Sequence, residues 1–143
     1  MILKKLPKTS YDNYISGWEA LNLNFNRSSN GADWHSSEFF YDNKTSYLKT
    51  YERNPILKNL GISKQTITWD NNKVEIYVAN YGRAIYDLIH LQSPRLFNIH
   101  WINDFCLNQI NLNNLKRYLL KCHCNKCNWY LEHFNELQNF KNI

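Results

Sequence analysis

Apolar positions recur at Tyr11, Tyr14, Ile15, Trp18 and Leu21, a spacing that predicts a helix with Ser10 or Thr9 as its cap. From Leu21 the period changes to two: Leu21, Leu23 and Phe25 alternate with asparagine through Asn26, as in a half-buried strand. Residues 27–33 are turn chemistry around Asn30-Gly31, and the aromatic-rich stretch 34–51 reads as partly helical. Asn54-Pro55 opens a short helix over Ile56–Leu60 that Gly61 stops. Alternation returns in Thr66–Trp69 and Lys73–Val78, flanking Asp70-Asn71-Asn72, and predicts a hairpin within 65–79. Asn80 then caps a helix carrying Ala84, Ile85, Leu88 and Ile89 that ends before Pro94, and Asn103 or Asp104 caps a further stretch. Apolar positions 112, 115, 119 and 122, then 129 or 130, 134, 137 and 140, predict two amphipathic helices or a single long one. A cysteine cluster sits at the middle of that tail.

Together these elements predict an α+β fold. A small antiparallel sheet, built from Leu21–Asn26 and the hairpin, carries helices packed on one face and a helical C-terminal tail. The pattern holds no repeat and no linker, so its 143 residues read as a single domain, 1–143. With 43% hydrophobic and 15% aromatic residues, the chain carries enough apolar surface to fold unaided. No run approaches the ~20 apolar residues of a membrane span, and Met1–Pro7 is too short an apolar run for a signal peptide. The expectation is a soluble cytoplasmic protein with reduced thiols and no membrane contact. The formal charge of +5, including Lys4, Lys5 and Lys8 in a short N-terminal arm, favours acidic partners such as nucleic acid.

The cysteines are the most concentrated chemistry. Cys122-His123-Cys124-Asn-Lys-Cys127 brings two thiols to a C-x-x-C spacing that lets both meet one ion. Cys122 and either His123 or His133 complete a zinc set of Cys122, Cys124, Cys127 and His133, with Cys106 to spare. A second separated knuckle is missing, so the preferred reading packs the cysteines as small apolar residues, with no cofactor favoured and zinc as the alternative.

A second constellation is acidic and imidazole. Asp33 and His35 share one side of an extended segment after the Asn-Gly turn, and Asp87 and His90 lie at i and i+3 on the predicted helix. Were the two pairs to converge, they would supply four ligands for a metal-dependent nuclease or hydrolase. Arg83, beside Gly82 where a strand passes into a helix, offers a phosphate fork; its plainer role is an i,i+4 pair with Asp87. Lys116, Arg117, Lys121, Trp129 and Tyr130 mix basic and aromatic groups as single-strand binders do, although the aromatics also fit the buried stripe.

Gly31-Ala-Asp-Trp-His-Ser36, and Ile76-Tyr-Val-Ala-Asn80 running into Arg83-Ala-Ile-Tyr-Asp-Leu88, resemble a group of small, mostly uncharacterised bacterial and phage proteins with a G-x-D-W-H turn and an R-A-x-x-D-L helix. The resemblance covers about a third of the chain and leaves out the cysteine-rich tail. It implies an accessory protein of mobile elements and bacterial conflict systems. The expected function is accordingly a non-enzymatic binding protein that neutralises a macromolecular partner, such as an anti-CRISPR inhibitor or antitoxin. Its partner would be a protein, a nucleoprotein complex or RNA, and the chain itself a monomer or homodimer. The metal-dependent nuclease and a zinc-stabilised nucleic-acid-binding module are the alternatives.

Overall fold

The computed structural model describes residues 1–23, 36–91 and 109–141. The expected strand residues 24–26, the Asn30-Gly31 turn, Asp33, His35, Cys106 and the Asn103 or Asp104 cap lie outside them.

The hairpin forms where alternation predicted it. Strands β5 (Ile62–Trp69) and β6 (Asn72–Ala79) pair antiparallel from Ile62↔Ala79 to Trp69↔Asn72. The turn is the two residues Asp70 and Asn71, both left-handed (φ 51° and 65°), the backbone that matches strand twist in a tight hairpin. Asn72 therefore belongs to the strand. Two two-residue pairs complete the β structure: β1 (Ile2–Leu3) with β3 (Tyr41–Asp42), and β2 (Asn13–Tyr14) with β4 (Tyr51–Glu52), both antiparallel. Ile15, following β2, joins the outer edge of β6 through Ile15 N–H to the Tyr77 carbonyl (3.0 Å) and Ala79 N–H to the Ile15 carbonyl (2.8 Å).

These bonds correct the expected N-terminal helix. Helix α1 spans only Gly17–Leu21, because Tyr14 and Ile15 are taken by strand pairing before the helical spacing can act. Ser10 caps a turn instead, its Oγ accepting the Asp12 and Asn13 N–H groups. Leu21 ends the helix and does not begin a strand. Helix α2 (Ser36–Phe40) falls in the stretch expected to be partly helical. Residues 56–60 form turns: Asn54 Oδ1 accepts from Ile56 and Leu57 N–H, but Lys58 is left-handed (φ 51°) and breaks any helix there.

Helix α3 (Tyr81–Leu91) begins as predicted, with Asn80 Oδ1 accepting Arg83 N–H at 2.8 Å. It is the centre of the molecule, and every residue from Tyr81 to Ile89 is buried. It lies against β6 and α1 on one side and helix α4 (Gln109–Cys122) on the other, and helix α5 (Asn125–Lys141) touches both α3 and α4. Gly82 sets the α3–α4 spacing: a Cβ there would fall 2.9 Å from the Asn111 carbonyl oxygen and from Leu115 N. Ile15, Val78, Ile85, Leu88, Leu115 and Leu119 form the middle of the shared core. The fold is α+β, with small antiparallel sheets and a helical C-terminal part.

Candidate metal centre

The tail is two helices because the chain reverses at His123. That residue is left-handed (φ 56°) and exposed, and its N–H still reaches the Leu119 carbonyl, closing the last turn of α4. Cys124 then caps α5 as a serine would: its Sγ accepts Cys127 N–H (3.3 Å) and its carbonyl accepts Asn128 N–H (2.9 Å). The reversal puts Cys122 at the end of one helix beside Cys124 and Cys127 at the start of the next.

The fourth donor comes from α3. His90 presents Nδ1 to Cys122 Sγ at 3.9 Å and to Cys124 Sγ at 3.8 Å, while Cys124 and Cys127 sulfurs are 3.0 Å apart. All four donor atoms lie within 4.8 Å of one another, and this is the one such group among the described residues. Zinc–sulfur bonds of about 2.3 Å and zinc–nitrogen bonds of about 2.0 Å give tetrahedral edges of ~3.8 Å for S···S and ~3.5 Å for S···N. The His90 edges to Cys122 and Cys124 come within about 0.4 Å of the S···N figure, and the Cys124–Cys127 edge would open by roughly 0.8 Å to reach the S···S figure. Three thiols and an imidazole are the soft and borderline donors that zinc selects, so this cluster could bind a metal such as zinc.

Neighbouring groups fix the donors. Tyr86, one turn before His90, stacks on its ring (5.5 Å between centroids, 14° between planes). The Tyr86 hydroxyl accepts from Asn54 Nδ2 at 2.8 Å; burial, and then the neighbouring Cys122 thiol, pushes its pKa far up. Lys126 Nζ donates to the His90 carbonyl at 3.0 Å, satisfying a free carbonyl in the last turn of α3. Burial raises the Cys124 thiol, but bonds from the Cys127 thiol and N–H, His90 and Cys122 outweigh it and bring Cys124 down to about 7. Cys127 is driven the other way, by burial first and then by its bond to Cys124. Cys124 is half-buried, and Cys127 is fully buried.

The set expected from spacing named His133, and the structure brings His90 to the sulfurs in its place. His133 lies about two turns along α5, with Nδ1 2.7 Å from the Trp129 carbonyl and its ring stacked on Trp129 at 4.0 Å. His123 points into solvent. Packing and ligation are not alternatives here, since Cys122 and Cys127 belong to the core and to the cluster alike.

Asp87 and His90 share α3 but serve different ends. Asp87 is enclosed, accepting from Ser16 Oγ (2.7 Å) and Tyr14 OH (2.8 Å) and pairing with Arg83 Nε (3.3 Å). Burial pushes its carboxyl up, against the pull of the Arg83 charge and of both hydroxyls. Arg83, expected among the binding residues, is fully buried. Its remaining donors go to Tyr14 OH and to the Lys58 and Leu60 carbonyls, between the rings of Tyr14 and Tyr86. The plain i,i+4 reading of this pair is the observed one, and it removes Arg83 as a phosphate fork and Asp87 as a ligand beside His90. Tyr130 is also fully buried, while Trp129 is half-buried with its ring against Tyr130 and His133. Lys116, Arg117 and Lys121 are exposed on α4. Among the described residues, no helix is long and apolar enough to cross a membrane.

Set against family models, curated proteins and solved structures, the chain matches none of them.

Proposed function

We propose that this chain is a non-enzymatic binding protein whose helical half is held in shape by a zinc ion on His90, Cys122, Cys124 and Cys127. The observation that carries the reading is the convergence of those four donors, from three helices and the turn that joins α4 to α5, to within 4.8 Å. Four protein ligands close a tetrahedral shell and leave no position for a water or substrate, which is the coordination of a structural site and not of a catalytic one. When bound, the ion would supply cross-links between the end of α3, the end of α4 and the start of α5. His90 faces the sulfurs with Nδ1, so the ligating tautomer carries its proton on Nε2.

The partner on this reading is a macromolecule that meets a fixed surface. An inhibitor of the anti-CRISPR or antitoxin kind would use a surface in this way, and the net charge of +5 and the aromatic-rich composition support it. The nuclease reading finds no such support, because Asp87 is occupied by Arg83, Ser16 and Tyr14.

Native mass spectrometry of protein made without a histidine tag in zinc-supplemented medium tests the proposal. One zinc per chain, removed by chelator together with helical circular dichroism, is the expected result. A folded, metal-free chain that takes up no added zinc would overturn it.

A further inference from the structure

Helix α4 is divided cleanly in two. Asn111, Leu112, Leu115, Tyr118, Leu119 and Cys122 are buried, and on a helical wheel they fill one side. The opposite arc, about 140° wide at 100° per residue, carries Gln109, Ile110, Asn113, Lys116, Arg117, Leu120 and Lys121, all exposed. The whole helix, Gln109–Cys122, contains no aspartate or glutamate. Its outer face thus sets three cations among two amide and two aliphatic side chains, with no acid on the same helix to neutralise them.

From this charge complementarity we infer that the outer face of α4 binds double-stranded nucleic acid through its phosphates. Arg117 and Lys121 are separated by about 6 Å of helix rise and Lys116 adjoins them, so the three reach neighbouring phosphates along one backbone. Gln109 and Asn113, which hydrogen-bond each other at 2.8 Å, extend the face with further donors. A duplex fits better than a single strand because the strip offers no ring for base stacking. Tyr118 and Tyr130 are buried, and Trp129 is occupied by His133 and Tyr130. The inference rests on the zinc reading for the fixed setting of α4 against α3, and on the side chains of α4 for its charge.

Fluorescence anisotropy with a short mixed-sequence duplex, as DNA and as RNA, tests it on the full zinc-supplemented chain, with zinc content measured in parallel. The wild type should bind at about 50 mM salt, with a log–log salt slope near −2.7 for three phosphates. K116Q/R117Q/K121Q should weaken binding at least about tenfold and flatten the slope, with zinc content and helicity unchanged. K44Q/K64Q/K73Q removes the same charge from exposed positions elsewhere and should leave most of the affinity. No duplex binding by zinc-loaded protein would overturn the inference, as would equal loss in the two triple variants. So would tighter binding to the single strand, or binding to anionic lipid vesicles alone. Duplex binding by a zinc-free folded chain would sink the zinc reading and leave this one standing.

Discussion

The two polar clusters of α3 are built from the same helix and share Tyr86, yet they handle burial in opposite ways. Near the N-terminus, Arg83 and Asp87 are both charged and nearly inaccessible, and the protein answers each of their groups itself, with two hydroxyls, two carbonyls and the ion pair. At the C-terminus, His90 and the three cysteines meet one another through sulfur contacts of 3.0 to 3.9 Å. The first cluster is complete as a protein structure. The second is a set of four donor atoms within 4.8 Å of one another, and a cation there would turn mutual crowding into bonds. Tyr86 stands between them, its ring near the Arg83 guanidinium on one side and stacked on His90 on the other.

Substitutions should separate the two. The largest effect is expected for Cys122→Ser or chelation: structural zinc contributes about 10–16 kcal/mol in small zinc domains, so its loss should unfold the α4–α5 hairpin while hairpin β5–β6 persists. Hydrogen exchange resolves the two regions. Asp87→Ala should cost about 3–5 kcal/mol by stranding the buried Arg83 charge, yet leave zinc stoichiometry at one, as denaturant melts and native mass spectra would show. Loss of zinc from the Asp87→Ala variant would show that the clusters are not separable.

Tyr86→Phe keeps the stack on His90 and removes the hydroxyl from Cys122 and Asn54, so chelator competition should find zinc held about 10- to 100-fold more weakly. Acid should act in the same direction. Zinc displaces thiol protons, so affinity is greatest above the thiol pKa values and falls as pH drops, by at least about tenfold per unit below pH 7. Cys124, brought down to about 7, gives up its proton readily near neutral pH, whereas Cys127, driven up, holds a proton that the ion must displace. His133→Ala should be the smallest change, with zinc affinity unaltered, whereas His90→Ala should abolish tight binding.

Where local chemistry decides structure, the sequence could be read directly. The Asp70-Asn71 turn, the Asn80 cap and the Arg83–Asp87 pair are all set by residues within a few positions of one another. The cysteine cluster was legible for the same reason. Its histidine was not: spacing pointed to His133, six residues past Cys127, while His90 is 32 residues before Cys122 and arrives only because Gly82 lets α3 and α4 pack closely. The one available signal was the apolar stripe of α3, which ends at Ile89 and leaves His90 at its edge. Tyr14 and Ile15 misled for a related reason. Their helical spacing is real, but backbone bonds to β4 and β6, far along the chain, outweigh a weak local preference.

The claim that four named side chains form one metal centre is tested most directly by zinc K-edge X-ray absorption on the untagged protein. The expected first shell is three sulfurs at about 2.3 Å and one nitrogen at about 2.0 Å, which becomes sulfur only, or disappears, in His90→Ala and stays intact in His133→Ala. A shell of oxygen and nitrogen, or a shell unchanged by His90→Ala, would contradict it.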